Sequence, residues 1–275
     1  MNENNYDYLK LNIKLLGFGE KQHEELEKNL REGKEAFQMK FETSINNKPF
    51  EANLQFKRPE NSDMYFLNSY RASLERSNGD KMEQTFYLNK GKGVTAKEAY
   101  NLLEGRAVHK ELANKAGESY HAWIQLDFQN KDRNNNNEVK QFHENYGYDV
   151  KAAVGKFAVQ ELDGGEKENN LLSSLQKGNI QSVTMEKDSV SQKMFIEANP
   201  QFKTVNVYDS NMKRVQKEDL NQFRQVQPVN GKEVKIKEVS QEVKEVKKNS
   251  MKNQDDEESL LPKKRTRRKK GLGVS

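Results

Sequence analysis

Apolar residues fall on every second position along two neighbouring stretches near the N-terminus. Phe37, Met39 and Phe41 alternate with polar residues, a turn-forming "INNKP" follows, and then Phe50, Ala52, Leu54 and Phe56 alternate with Glu51, Asn53, Gln55 and Lys57. A period of two places one set on each face of a pleated strand, so the pattern predicts a hairpin with one face against a core. Upstream the period lengthens. Leu9, Ile13 and Leu16 form the stripe of a short helix with Asp7 placed as its N-cap. Leu26 and Leu30 form that of a second helix, stopped at Gly33, where a left-handed C-cap is least costly. Downstream, "DMYFLNSYRASLERSNGDKMEQTFYLN" reads as two strands joined at Asn78-Gly79, a type I′ hairpin signal.

Similar grammar returns twice. "TAKEAYNLLEGR" opens on a capping box, Thr95 with Glu98, and closes at Gly105; "SYHAWIQLDF", the polar "QNKDRNNNN" and "EVKQFHENY" follow as strand, loop and strand. From residue 147 a helix capped by Asp149 carries Val150, Ala153, Val154 and Phe157, and a second carries Leu171, Leu172 and Leu175 up to Gly178. Residues 17–57 lie over residues 163–203 without a gap, share 11 of 41 positions and end on "EANLQFK" against "EANPQFK", which predicts an internal duplication. Pro200, unable to donate a ladder hydrogen bond, predicts an edge or a bulge at that point of the second copy. The polar residues of the repeated heptad are open to two readings, a solvated face or a contact surface. The expectation is an α+β fold of duplicated units, short helices followed by antiparallel strands, with the helices covering one face of the sheets. A first helix-plus-sheet unit spans 1–90, a central helix-plus-strands segment 91–146, the second copy 147–219 and a disordered charged tail 220–275.

Charge separates that tail from the body. Of 47 Lys and Arg and 42 Asp and Glu, residues 220–275 hold 15 and 8, which leaves 32 and 34 for residues 1–219. The net +5 therefore resides in the tail, while the body is close to neutral. Within the tail, "KEVKIKEVSQEVKEVKK" has too few apolar groups to build a core. An acidic run, Asp255 to Glu258, precedes a block in which seven of eight residues are basic: Lys263, Lys264, Arg265, Arg267, Arg268, Lys269 and Lys270. Such a block displaces condensed counterions from a nucleic-acid backbone and offers bidentate guanidinium contacts to phosphate. Residues 225–275 contain no aromatic, so stacking on bases is not available to the tail, and the acidic run competes for the basic block. With Cys 0, disulfides, thiolate metal sites and cysteine nucleophiles are excluded, which fits a reducing compartment. No apolar run approaches the roughly 20 residues of a spanning helix and the N-terminus has no leader pattern, so a cytoplasmic protein without membrane association is expected.

Candidate chemistry in the body is sparse. "NKGKGVTAKE" sets a glycine-rich turn ahead of a helix start; Lys90, Lys92 and Thr95 are candidates to hold an anion there, beside the alternative of a plain strand-to-helix turn. It does not match the phosphate loop of nucleotide hydrolases. His121 and His143 fall on neighbouring expected strands, within reach of Asp127 or Glu144, without a diagnostic metal spacing. Trp123 is out of phase with Ala122, Ile124 and Leu126, which leaves a binding platform and a second covering layer as alternatives. No catalytic, cofactor or metal-ligating set is assigned.

At "RSNGDKMEQTFYLNKGKGVTAKEAYNLLEGRAVHKEL", "YHAWIQLDF", "NYGYDVKAAVGKFAVQEL" and "MFIEANPQFKTVNVYD" the chain resembles a family of uncharacterised Bacteroidota proteins, many encoded on conjugative or other mobile elements. The resemblance covers most of residues 5–215 and extends to a basic, glycine-containing tail. It implies a setting in DNA handling, conjugation or host interaction, and no activity or catalytic residue. The expected function is a non-enzymatic accessory protein whose tail contacts nucleic acid; the alternative is a protein-interaction adaptor without a direct nucleic-acid role.

Overall fold

The computed structural model describes residues 1–76, 79–89, 92–114, 116–187 and 190–223. Helices α1 (Glu3–Leu15) and α2 (His23–Glu32) lead into strands β1 (Ala36–Ile45), β2 (Lys48–Lys57), β3 (Phe66–Glu75) and β4 (Lys81–Tyr87), an antiparallel sheet in chain order. Helix α3 (Ala96–Leu103) leads into β5 (Val108–Ala113), β6 (Ser119–Lys131) and β7 (Asn137–His143). Helices α4 (Val150–Val154) and α5 (Glu166–Gln176) lead into β8 (Gln181–Lys187), β9 (Val190–Asn199) and β10 (Thr204–Tyr208), before α6 (Lys217–Leu220). The fold is α+β, with helices followed by antiparallel meanders, and the order occurs three times. Before each meander the chain passes through a left-handed glycine: Gly33, Gly105 and Gly178.

The helices join consecutive meanders. Helix α3 packs on β3 and β4 behind it and on β5 and β6 ahead; α5 packs on β5 and on its own β8 and β9. One core therefore gathers Leu9, Ile13, Leu26 and Leu30 with the inner face of β1–β4, the α3 side chains Leu102 and Leu103, and Val108, Ile124 and Leu126. A second gathers Val154, Phe157, Leu171 and Leu175 with Val183, Ile196 and Val207. Trp123 belongs to the second core, where it is 5% exposed and meets the Tyr148 ring edge-on at 5.2 Å. The central sheet is thus apolar on both faces, so the indole lies under a covering layer. Burying a side chain of this class contributes about 1.5–3 kcal/mol.

Short polar side chains complete the joints. Asn5 exchanges two hydrogen bonds with the backbone of Tyr65, at 2.9 and 2.8 Å, and Gln84 exchanges two with the backbone of Asn137, at 3.2 and 2.8 Å. Each amide occupies the place of a further strand residue and satisfies groups that burial would otherwise strand. Asn136 likewise accepts from the Thr85 amide at the outer edge of β4. Between the second and third meanders, Asn101 donates to Lys177 O and to the Asn179 side chain, while Arg106 donates to Gly178 O. A Cβ on Gly178 would lie 2.8 Å from Ala107 O and 2.9 Å from a Val108 methyl, so close approach and a φ of +77° both require glycine there.

Local turn chemistry is equally explicit. Asn46 and Asn47, at φ 52° and 62°, form the two-residue type I′ connection between β1 and β2. Three longer loops share another device. The side-chain oxygens of Asn114, Asp132 and Asp209 each accept two backbone amides of the loop that follows, and Gly117, Asn135 and Met212 take the left-handed position. The β3–β4 connection closes between Arg76 and Asp80 with Gly79 at φ +84°, a longer loop than the expected two-residue turn; Asn78 lies outside the described residues.

Three further expectations are corrected. Helix α1 begins a turn earlier than its apolar stripe suggests, because the Asn2 side chain accepts from the Asn5 amide; Asp7 lies inside the helix and pairs with Lys10 at 2.7 Å. Strand β9 is the central strand of its sheet, and Pro200 is neither at an edge nor in a bulge but opens a 3₁₀ turn after the strand has ended. The gapless match of 17–57 with 163–203 does not persist as a match of registers. Phe37 faces Phe56 across β1–β2, whereas the aligned Val183 faces Met194 rather than Phe202, because Lys187 pairs with Val190 four residues sooner than the alignment places the turn.

Candidate functional site

The turn ahead of α3 is built for packing. Thr95 caps the helix: its hydroxyl accepts from the Glu98 amide and its own amide donates to the Glu98 carboxylate at 2.9 Å. The Ala96 amide donates to Leu16 O at 2.8 Å, tying α3 to the end of α1. The helix N-terminus thereby carries its own carboxylate, which Lys110 neutralises at 3.0 Å with both side chains largely buried. Beneath it the Tyr70 hydroxyl donates to Val94 O at 2.6 Å; burial, with Glu98 adding to it, pushes that hydroxyl well above its ordinary pKa. An anion at this helix start meets Glu98 already in place, which corrects the expectation for Thr95. Gly93 answers to sterics as well, since a Cβ there would come within 2.4 Å of the Leu88 side chain. Lys92 is exposed, and Lys90 lies outside the described residues.

The central sheet distributes its histidines differently from the expected pair. His143 faces Ala122 across β6–β7, so His121 and His143 point to opposite faces. His121 instead stacks on His109 of β5, with ring centroids 5.5 Å apart and planes 14° from parallel, and His109 leans on Trp123 at 5.3 Å. Burial holds the His109 imidazole below its ordinary pKa, the neighbouring His121 adds to this, and Glu144 opposes it. The charged form of the His109 imidazole is therefore disfavoured. Asp127 serves its own loop, accepting from Gln129 N and Asn130 and pairing with Lys140 at 3.1 Å. Among the described residues no group of three His, Cys, Asp or Glu is placed to hold a metal ion. Only the cross-strand register joins His109 to His121, and the residues 109–113 show no strand alternation that would have announced β5.

On the outer face of β9 and β10 lies a buried carboxylate that forms no ion pair among the described residues. Glu197, 8% exposed, accepts from Asn206 and from the Tyr208 hydroxyl, both at 2.7 Å. Asn206 in turn accepts from Asn199 at 2.8 Å and from the Arg214 guanidinium at 2.7 Å. Burial first, and Glu197 next, push the Tyr208 hydroxyl up, so it stays a donor throughout the physiological range. This chain of amides links Glu197 to Arg214 and holds the guanidinium over the sheet edge.

The basic block Lys263, Lys264, Arg265, Arg267, Arg268, Lys269 and Lys270 lies outside the described residues. Among those that are described, no helix is long and apolar enough to cross a membrane. Comparison of the chain with protein-family models, curated proteins and solved structures gives no match.

Proposed function

We propose that this is a cytoplasmic, non-enzymatic accessory protein that recognises a partner through its body and holds nucleic acid, DNA in the first place, through its C-terminal basic block. The observation that carries the reading is the segregation of charge. Seven of the eight residues 263–270 are cationic, while residues 1–219 hold 32 basic and 34 acidic side chains. A body without net attraction for a polyanion, joined to a dense cationic block, confines phosphate affinity to one end of the chain. The mobile-element setting implied by the family resemblance points the same way.

The test compares the full chain with a variant in which the seven basic residues become Gln, binding a fluorescent duplex at two salt concentrations. Wild-type affinity is expected to fall about a thousandfold or more between 50 and 200 mM salt if six or more phosphates are contacted. The variant should lose both the affinity and the slope. Equal affinity and equal slope for the two proteins would defeat the reading.

A second reading, an interaction adaptor without nucleic-acid contact, draws on exposed apolar side chains at a joint. Tyr87 and Val139, 68% and 45% exposed, flank a cavity of about 550 Å³ between β4 and β6–β7. It predicts negligible duplex binding by either protein and a protein partner retained at this joint.

A further inference from the structure

Strand β10 is the outer strand of its sheet, and only part of its free edge is used. Beyond the loop closed by Asp209 and Lys213, the chain returns beside β10 far enough for the Val215 amide to donate to Val207 O at 2.9 Å, and then departs as α6. Backbone groups of alternate residues in an antiparallel strand point the same way, so those of Val205 face outward like Val207 O. Among the described residues no backbone group reaches Val205 from that side, and its carbonyl meets only the Thr204 hydroxyl at 3.4 Å. The space before it is a cavity of about 610 Å³ walled by Phe157, Val205, Val207, Val215 and Leu220. Phe202 adds a ring that is 69% exposed, and the charged residues of the wall, Arg214 and Lys217, are both cations.

An open main-chain edge, an apolar wall and two cations have a common complement. We propose that this groove takes an extended peptide segment of a partner protein, with acidic and apolar residues alternating, which adds as a strand to β10. Its backbone pairs with Val205, its apolar side chains enter the wall, and a carboxylate reaches Arg214, which the Asn206–Glu197 network already holds in place. Affinity then comes chiefly from main-chain pairing, so a generic alternating peptide suffices as a probe. The inference goes beyond the phosphate contact of the basic block and stands or falls apart from it.

The experiment titrates the capped peptide TVEVT into the full chain and follows the methyl signals of Val205, Val207, Val215 and Leu220 by NMR. Two controls accompany it, TVKVT and a fully N-methylated TVEVT. Saturable shifts confined to the groove are expected, with affinity weakened about tenfold or more by either control and by Arg214→Gln or Lys217→Gln. Both variants should keep the wild-type melting temperature and duplex affinity, which separates loss of the groove from loss of fold or of tail function. No saturable shift at these methyls, or equal shifts with all three peptides, overturns the proposal.

Discussion

Glu51–Lys57 and Glu197–Lys203 differ at one residue in seven and live in different surroundings. The first lies wholly within β2, flanked by β1 and β3, with Ala52, Leu54 and Phe56 buried and Phe56 stacked on Phe37 at 4.7 Å. The second ends its strand at Asn199, turns through Pro200–Phe202 and leaves Phe202 69% exposed at the rim of a groove. Glu51 sits on a solvated face 3.6 Å from Lys40, whereas Glu197 is buried under Tyr208 and Asn206. Shared letters therefore do not carry a shared role. The position of the hairpin turn decides which residues the preceding strand can reach, and a turn taken four residues sooner carries the end of the heptad past its partner.

Paired substitutions test that contrast. The largest difference is expected at the aromatic position: Phe56→Ala should cost about 3–5 kcal/mol in urea unfolding, and Phe202→Ala should stay within about 0.5 kcal/mol. Similar losses at the two sites would break the comparison. Next comes the ladder. Leu54→Pro replaces a buried side chain and removes a backbone donor from a central strand, and should cost on the order of 3 kcal/mol or more, while Pro200→Leu, outside the strand, should change stability by less than about 1 kcal/mol. A well-tolerated proline at 54 would contradict the register. Smallest is the acidic position, where Glu197→Gln should cost about 1–3 kcal/mol because a two-bond acceptor is altered in a buried network. Glu51→Gln should leave the denaturation midpoint unmoved, and a reversed order would show that Glu197 is not buried as described.

Much of the body was legible because its signals are local. The capping box of Thr95 and Glu98, the cap at Asp149 and the left-handed glycines 33 and 178 act over at most four residues and appear where the pattern places them. The alternation of Phe50 to Phe56 identified a buried face for the same reason. Asp7 misled because the stripe of α1 begins after the helix does, and the true cap, Asn2, acts with Asn5, whose partner is sixty residues away. Strand β5 escaped notice because its sheet has a core on each face, which erases the period of two around Val108 and Trp123. The groove beside β10 left no trace in the pattern, since its walls come from residue 157, from 199–207 and from 214–220.

The amino-acid sequence by itself determined the class of fold, most of the helix and turn positions, and the concentration of positive charge in residues 263–270, because propensity, capping and charge are properties of short runs of residues. Tertiary structure alone decided the register of β8 on β9, the burial of Trp123, the stacking of His109 on His121 and the edge at Val205 that no other described backbone group reaches. Each of those depends on how far a turn carries the chain before it meets a partner, and that distance is set by packing among segments remote from one another.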